Sequence, residues 1–243
     1  MVSKSQIKLI TSLEQKKNRE RHGLFIAEGI KGITELLNSQ FELEALYTTD
    51  SKLTAAESKT ILITEAELKK ISRLKTPQVA LALFKIPERK LPELQDLTLA
   101  LDGVRDPGNL GTIIRLCDWF GINNLLCSKD TVDCYNTKVV QATMGSISRV
   151  NIYYVDLEEI LNRHQDTPVI GTYMNGDDIY RSNIPTRGIL IMGNEANGIS
   201  PKIENFISHK VGIPQFGEGS KTESLNVATA TAILLSEFRR RNY

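Results

Sequence analysis

Cysteine is scarce in this sequence, and the patterns that mark disulfide and metal chemistry are lacking. The three cysteines, Cys117, Cys127 and Cys134, are odd in number and form no C-x-x-C pair, which argues against a disulfide framework and against a zinc site. No cluster of histidine and carboxylate side chains has the spacing of metal ligands. We therefore expect buried thiols in a reducing cytoplasm, and metal-free chemistry.

Long apolar runs and a strong net charge are also missing. The longest apolar runs, 188–193 and 227–235, fall well short of the roughly 20 residues of a membrane span. The first 21 residues contain no apolar stretch typical of a signal peptide. Lysine and arginine (30) nearly balance aspartate and glutamate (29), which excludes a histone-like chain and an acidic disordered one. Neither a G-x-G-x-x-G fingerprint nor a Walker loop occurs.

The basic side chains are concentrated at the N-terminus. Residues 1–97 carry 16 basic and 13 acidic side chains, whereas residues 98–243 carry 14 and 16. The basic residues of the first turns are Lys4, Lys8, Lys16, Lys17, Arg19 and Arg21. Such a run is either a solvated helix face or a set of contacts to RNA phosphates, and composition leaves both open.

The pattern of apolar residues predicts two α/β domains. A stretch rich in proline and charge (KIPERKLPELQD) separates them, so we expect an N-terminal domain at 1–88, a linker at 89–97 and a C-terminal domain at 98–243. In the second part, strands are predicted at 97–101, 124–127, 152–155, 169–172, 189–192 and 210–213, and helices at 109–120, 136–145, 157–164 and 224–240. This alternation favours a parallel sheet that is covered on both faces and binds ligands beyond the carboxyl ends of its strands.

Three segments that follow predicted strands could carry chemistry, and the first is 102–115 (DGVRDPGNLGTIIR). Asn109 is expected to cap a helix, because its side-chain oxygen can accept a backbone N–H of the first turn. Arg115 would then lie in the second turn, where a cation opposes the helix dipole. It is either held there by an anion such as phosphate or paired on the surface with Asp106 or Asp118.

The second segment is 189–200 (ILIMGNEANGIS), in which an apolar strand runs into a loop. Glycines flank Glu195 at positions 193 and 198. Glu195 is either an acceptor for the amides of the turn or a catalytic base.

The third segment, 212–237, passes from a strand through a glycine-rich loop into a long helix that begins with small side chains. Ser224 and Asn226 stand where this helix opens, and they are either plain capping residues or part of a site. The small side chains indicate close packing, in the core or against a second subunit.

The three segments resemble the signature of the SpoU (TrmH) family of RNA ribose 2'-O-methyltransferases, within the SPOUT superfamily. The matching residues are, in order, Asn109, Gly111 and Arg115 (N-x-G-x-x-x-R), Gly193, Glu195 and Gly198 (G-x-E-x-x-G), and Ile213, Pro214, Ser224–Val227, Glu237 and Arg240 (I-P, S-L-N-V, E-x-x-R). Each motif is weak alone, and the ordered set is specific. Residues 18–37 resemble the substrate-binding domain often fused to this family, so the resemblance covers nearly the whole chain.

The resemblance implies an α/β fold, with a trefoil knot in the C-terminal domain and an L30e-like N-terminal domain. It implies a homodimer with active sites at the subunit interface and S-adenosylmethionine as cofactor. The implied substrate is structured RNA, with 23S-type rRNA favoured over tRNA. The alternatives are a tRNA ribose methyltransferase, an antibiotic-resistance rRNA methylase and a non-catalytic RNA-binding scaffold.

The resemblance also implies roles for individual residues. Arg115 would activate the ribose 2'-hydroxyl together with an RNA phosphate, Asn109 would orient the site, and Glu195 would hold the loops and the neighbouring subunit. Ser224 and Asn226 would fix the cofactor or the target ribose. The implied cofactor contacts are Thr172, Gly193, Ile213 and Leu225. The loop 215–223 is longer than is usual in the family, which leaves its cofactor contacts open, and the N-terminal basic residues would contact RNA phosphates.

Overall fold

The structure is a computed structural model that describes residues 2–94, 96–217 and 224–241. The first elements are α1 (Lys4–Ser12), α2 (Lys16–His22), β1 (Leu24–Glu28), α3 (Ile30–Leu37), β2 (Leu43–Thr48), β3 (Thr60–Leu62), α4 (Glu65–Ile71) and β4 (Ala80–Lys85). They continue as β5 (Leu97–Asp102), α5 (Pro107–Trp119), β6 (Asn124–Ser128), α6 (Thr137–Thr143), β7 (Asn151–Val155), α7 (Leu157–Arg163), β8 (Val169–Asp178), β9 (Gly188–Gly193), α8 (Pro201–Glu204), β10 (His209–Gly212) and α9 (Val227–Arg241). None of the helices described here is long and apolar enough to cross a membrane.

The chain forms two compact units, and one segment of the second half of the chain belongs to the first unit. The first unit comprises Met1–Glu88 together with Asp133–Arg149, and the second comprises Arg89–Val132 together with Val150–Tyr243. The sequence pattern places 133–149 in the C-terminal domain at 98–243. A single boundary at a linker therefore does not describe how this segment packs.

The first unit has a four-stranded sheet in the order β1-β4-β2-β3, which is antiparallel except for the pair β2-β3. Both faces of β1 are covered, since successive side chains point to opposite faces of a strand. Ile26 belongs to an apolar cluster with residues of α1 and α4. Phe25 lies 4.7 Å from Tyr135, centroid to centroid, and 5.9 Å from Phe84. The aromatic contact with Tyr135 holds the segment 133–149 in this unit.

Arg19 is the second link between 133–149 and the rest of the first unit. Its side chain is buried, with the residue 2% exposed. The guanidinium donates to Asp133 Oδ2 through Nε at 2.9 Å and through Nη2 at 2.5 Å. Nη1 donates to the carbonyl oxygens of Leu13 and Glu14 at 2.8 and 2.7 Å. The prediction that Arg19 contacts RNA is therefore wrong, because its donors are used inside the fold.

The second unit has a six-stranded sheet in which every neighbouring pair is parallel, in the order β10-β8-β9-β5-β6-β7. The two central strands, β5 and β9, are buried along almost their whole length. The mixed α/β class and the parallel sheet are thus confirmed. Strand β8 extends to Asp178, beyond the predicted end at residue 172.

Helix α5 begins earlier than predicted. Asp106 is its N-cap, and its Oδ1 accepts the backbone N–H of Asn109 at 2.8 Å. Pro107 occupies the first helical position, where a missing N–H costs nothing. The expectation that Asn109 caps the helix is wrong, and Arg115 lies in the middle of the helix. The argument from an unfavourable helix dipole therefore does not apply to Arg115.

The C-terminal end of α9 is tied to two loops. Arg239 donates to the carbonyl oxygens of Phe120 and Gly121 at 2.6 and 2.8 Å. Arg241 donates to Ser182 O at 2.8 Å and also to Ile179 O.

Glu237, buried on the same helix, accepts from both neighbouring arginines. Arg240 Nε and Nη2 donate to its carboxylate at 2.7 Å, and Arg241 Nε donates at 2.8 Å. The hydrogen bonds from Arg240, with those from Arg241, lower the pKa of Glu237 to about 2, although burial acts in the opposite direction.

We expect Arg19→Ala to destabilise the first unit by about 3–5 kcal/mol, the usual cost of removing one partner of a buried ion pair. The substitution leaves the carboxylate of Asp133 unpaired and two backbone carbonyls without donors. Urea unfolding followed by circular dichroism measures the effect. Arg21→Ala is the matched control, because Arg21 lies on the same helix and is exposed, and it should change stability by less than about 0.5 kcal/mol. Equal stability of the two variants would contradict the structural role of Arg19.

We expect Glu237→Gln to lower stability at pH 7 by about 1–3 kcal/mol, the range for hydrogen bonds to charged groups. A carboxyl whose pKa is lowered by folding adds stability that is fully present above its unfolded pKa of about 4.3 and is lost as the pH falls. The difference between wild type and variant should therefore shrink as the pH falls toward the folded pKa of about 2. Denaturant titrations across this pH range measure it, and a constant difference would refute the assignment.

Candidate active site

Three side chains from distant parts of the second unit form a chain of hydrogen bonds. Asn109, in the first turns of α5, donates through Nδ2 to Glu195 Oε1 at 2.9 Å, across 86 positions of sequence. Asn226, just before α9, donates through Nδ2 to Asn109 Oδ1 at 2.8 Å, across 117 positions. Glu195 follows the carboxyl end of β9, which is the edge where ligands of parallel sheets bind. The structure thus brings together three of the residues that the sequence motifs single out.

The start of α9 determines how the side-chain amides of Asn226 and Asn109 are oriented. The backbone N–H groups of Ala228 and Thr229 donate to Asn226 Oδ1 at 3.0 and 3.2 Å. Because that oxygen is occupied by two donors, the amide nitrogen of Asn226 must face Asn109. The oxygen of Asn109 accepts this bond, so its nitrogen faces Glu195, whose ionised carboxylate can only accept. Asn226 is therefore a cap and a member of the site at the same time.

The loop that carries Glu195 is held by its own backbone and by Asn194. Backbone hydrogen bonds of 2.9 Å run in both directions between Asn194 and Gly198. A Cβ on Gly193 would lie 2.3 Å from the carbonyl carbon of Gly198, so only glycine fits there. Asn194 Nδ2 donates to Gly103 O at 2.7 Å, which joins the loops after β5 and β9. Sequence reasoning missed Asn194, although an asparagine at the start of a turn is a known signal for such side-chain bonds.

Arg115 is exposed and does not join the chain of hydrogen bonds. Neither of the predicted surface partners holds it, since no hydrogen bond or ion pair connects Arg115 to any residue in the described ranges. It follows Asn109 by six residues, which on a helix is a rotation to a face about 120° away. Residues four apart share a face, and Trp119, four residues on, is 83% exposed.

Three of the residues predicted to bind the cofactor lie within, at the end of, or just after three neighbouring strands. Thr172 is in β8, Gly193 ends β9, and Ile213 follows β10. Thr172 Oγ1 donates to Ile191 O at 3.0 Å, which ties β8 to β9. Leu225 precedes α9 with its side chain 48% exposed.

Several groups in this region have no partner in the part of the chain that the structure describes. They are the backbone N–H and C=O groups of Ile213 and Leu225, and the hydroxyl of the exposed Ser224. Backbone donors and acceptors beside an exposed apolar side chain suit the edge and the face of an adenine ring, so these residues fit S-adenosylmethionine. Residues 218–223 of the loop 215–223 lie outside the described residues.

Comparisons with known proteins cover both units of the chain. A family model described as the SpoU rRNA Methylase family matches residues 96–236, and one described as the MRM3-like substrate binding domain matches residues 4–82. A solved structure of a TrmH-family protein from Porphyromonas gingivalis is 39% identical with a TM-score of 0.90, over 99% of each chain. An AdoMet-bound rRNA methyltransferase from Sinorhizobium meliloti is 29% identical with a TM-score of 0.88, over 100% of this chain and 98% of that one.

A relative found by sequence comparison also carries the name of an rRNA methyltransferase. The 23S rRNA (guanosine(2553)-2'-O)-methyltransferase RlmP of Bacillus subtilis is 28% identical over 234 residues, which are 93% of each chain. The SpoU model spans more than half of the present sequence, including every residue of the hydrogen-bonded chain. The chain described here belongs to the SpoU rRNA methylase family.

Proposed function

We propose that this protein transfers a methyl group from S-adenosylmethionine to a ribose 2'-hydroxyl of ribosomal RNA. The observation that carries the proposal is the chain from Asn226 through Asn109 to Glu195, built from the motif residues at the carboxyl edge of a parallel sheet. The names of RlmP and of the AdoMet-bound structure support the reaction, the cofactor and the choice of rRNA over tRNA. We place the enzyme in the cytoplasm.

The loops after the neighbouring strands would hold the cofactor. Ile213 and Leu225 offer unpaired backbone groups and an apolar side chain for the adenine. Gly193 allows the backbone of Gly198 to pack closely against the end of β9, and Thr172 ties β8 to β9. When bound, S-adenosylmethionine supplies an electrophilic methyl group on a sulfonium sulfur and leaves as the neutral thioether.

Arg115 would act on the nucleophile. A ribose hydroxyl is a weak nucleophile, so negative charge that develops on its oxygen must be stabilised and its proton must be accepted. Arginine stays protonated in proteins, so Arg115 stabilises the charge, and an RNA phosphate beside it accepts the proton. Ser224 and Asn226 orient the ribose, and Glu195 holds Asn109 in place. Positioning of this kind supplies a large part of the rate in a displacement that requires in-line geometry.

The face of α5 that carries Arg115 suits contact with a second copy of the chain. Trp119 on that face is 83% exposed, and tryptophan is enriched in the cores of interfaces. Since Asn109 points to a different face, Arg115 would complete the site of the partner protomer in a homodimer. We also propose that the C-terminal domain contains a trefoil knot, because the chain belongs to this family.

The exposed basic residues of α1 and α2 would contact RNA phosphates. They are Lys4, Lys8, Lys16, Lys17 and Arg21. Arg19 is excluded because it is buried against Asp133. Contacts to phosphates of this kind make RNA affinity fall steeply with salt.

Labelled S-adenosylmethionine, incubated with the protein and with a mixture of rRNA and tRNA transcribed without modifications, tests the reaction directly. Digestion and mass spectrometry should show one 2'-O-methylated nucleoside. Label found in tRNA alone would mean that the substrate is tRNA and not rRNA. Saturable cofactor binding without transfer to any RNA would overturn the assigned reaction on free rRNA.

We expect Arg115→Ala to lower the rate of methyl transfer by about 10²–10³-fold, the usual cost of removing one donor that stabilises developing charge. Cofactor binding, followed by calorimetry, should change less than about twofold, because Arg115 is proposed to act on the ribose and is not among the residues proposed to hold the cofactor. Arg187→Ala is the matched control, since Arg187 is also an exposed arginine of the second unit. Loss of cofactor binding in a folded Arg115→Ala variant would contradict the assigned role.

We expect Trp119→Glu to shift the protein from dimer to monomer in analytical ultracentrifugation and to abolish transfer, because a carboxylate would be buried in the interface without a partner. Leu62→Glu is the control, since Leu62 is 59% exposed in the first unit. A Trp119→Glu variant that remains dimeric would rule out this face of α5 as the interface.

A further inference from the structure

Asp102, the last residue of β5, is a buried carboxylate outside the chain of hydrogen bonds from Asn226 to Glu195. It is 6% exposed. Within the described ranges one other carboxylate, that of Glu237, is as deeply buried, and arginines neutralise it. Asp102 forms no ion pair in those ranges. Its Oδ2 accepts the backbone N–H of Ser200 at 2.7 Å, across 98 positions of sequence. Because burying a carboxylate costs more than burying a neutral side chain, this one bond points to a specific task for Asp102.

The bond to Ser200 attaches the far end of the segment 194–200, hereafter the Glu195 loop, to β5. At the near end of this loop, Asn194 Nδ2 donates to Gly103 O at 2.7 Å. The two acceptors, Asp102 and Gly103, are adjacent in sequence. Both ends of the Glu195 loop are therefore attached to the same point, the place where the chain leaves β5.

The Glu195 loop is stiff between these two attachments. Backbone hydrogen bonds of 2.9 Å in both directions join Asn194 and Gly198. Ser200 is the N-cap of α8, yet its side chain makes no capping hydrogen bond, and its Oγ is buried without a partner among the described residues. The backbone N–H of Ser200 is thus the group that ties this end of the loop to β5. Without the bond to Asp102, the turn that carries Glu195 would be free to tilt about Asn194.

The point of attachment is itself held from the other side, by the end of β6. The backbone N–H of Gly103 donates to Ser128 Oγ at 2.9 Å, and the Ser128 hydroxyl donates to Asp130 Oδ1 at 2.7 Å. Gly103 has φ +76°, a conformation that favours glycine. Helix α5, which carries Asn109, begins shortly after this point. The end of β5 therefore supports both partners of the bond between Asn109 and Glu195.

We propose that Asp102 is a positioning residue for methyl transfer: by fixing Ser200, it holds Glu195 where it accepts the hydrogen bond from Asn109. This role rests on the proposed function. A hydrogen bond to a carboxylate is about twice as strong as one between neutral groups, so a carboxylate suits the task better than a neutral acceptor does. Displacement of a site residue by a fraction of an ångström is enough to slow a reaction that depends on alignment.

Steady-state kinetics of the full-length protein test the proposal. We expect D102A to lower kcat by about 10–10²-fold, since a misplacement of 1 Å can cost on the order of 10²-fold. The KM for RNA should change less than about twofold, because the lost interaction matters in the transition state and not in RNA binding. D102N should keep at least about a third of the wild-type kcat, because an amide oxygen in the same place can accept the N–H of Ser200. A raised KM with unchanged kcat in D102A, or no rescue by D102N, would overturn the proposal.

T98A is the matched control for loss of a buried polar side chain from the same strand. Thr98 lies at the opposite end of β5 and is 2% exposed. Its substitution should leave kcat within about twofold of the wild type, because it is far along the strand from the Glu195 loop. Equal losses of kcat in T98A and D102A would show that any disturbance of β5 slows the reaction, and the specific role of Asp102 would fall.

Hydrogen exchange measures the attachment of the Glu195 loop without catalysis. In D102A, peptides that cover 194–200 should exchange about tenfold faster than in the wild type, because a bond to a charged acceptor is lost. Peptides of α7 and β7 should exchange as before. Unchanged exchange at 194–200 would contradict the role of Asp102 in holding this loop.

A double-mutant cycle with Glu195→Gln shows whether Asp102 acts through Glu195. Residues that act as one unit have effects that do not add. In the E195Q background, D102A should therefore lower kcat by less than about twofold more. A loss as large as in the wild-type background would mean that Asp102 acts by another route.

The two sets of measurements separate this inference from the proposed function. If the wild type transfers a methyl group and D102A does so with the same kcat, the reaction stands and the positioning role fails. If the wild type transfers no methyl group but exchange at 194–200 rises selectively in D102A, the proposed reaction fails and Asp102 remains the residue that holds the Glu195 loop.

Discussion

The candidate site depends on the two backbone N–H groups at the start of α9. By occupying Asn226 Oδ1, they determine which way the amide points, and that direction passes through Asn109 to Glu195. Each hydrogen bond in such a chain polarises the next one, so the carboxylate of Glu195 strengthens the bonds made by Asn109 and Asn226. These hydrogen bonds join α5, the loop after β9 and the start of α9.

This arrangement requires that α9 itself be fixed, and its other end shows how this is achieved. Arg239 and Arg241 donate to four backbone carbonyls in two separate loops. Glu237, kept ionised by its neighbours, holds Arg241 in the direction that reaches those carbonyls. A helix anchored at its C-terminal end presents Asn226 at a constant position. Glu237 of the family signature therefore supports Asn226 through the length of one helix.

Much of the second unit could be predicted from the sequence because its signals are local. Apolar strands alternating with helices give the parallel sheet, and the three motifs mark the loops at its carboxyl edge. The cap of α5 was mistaken because Asp106 and Asn109 are both good capping residues, although Pro107 is a signal for the earlier start. The burial of Arg19 could not be predicted, since its partner Asp133 is 114 positions away.

The packing of 133–149 has a consequence for any attempt to divide the protein. The chain passes between the two units three times, after residues 88, 132 and 149. A fragment that begins near residue 90 would keep Tyr135 and Asp133 but lose Phe25 and Arg19, their partners in the first unit. An exposed aromatic ring and an unpaired carboxylate would then accompany the loss of any RNA contact. Substitutions of exposed side chains are therefore the way to separate RNA recognition from folding in this chain.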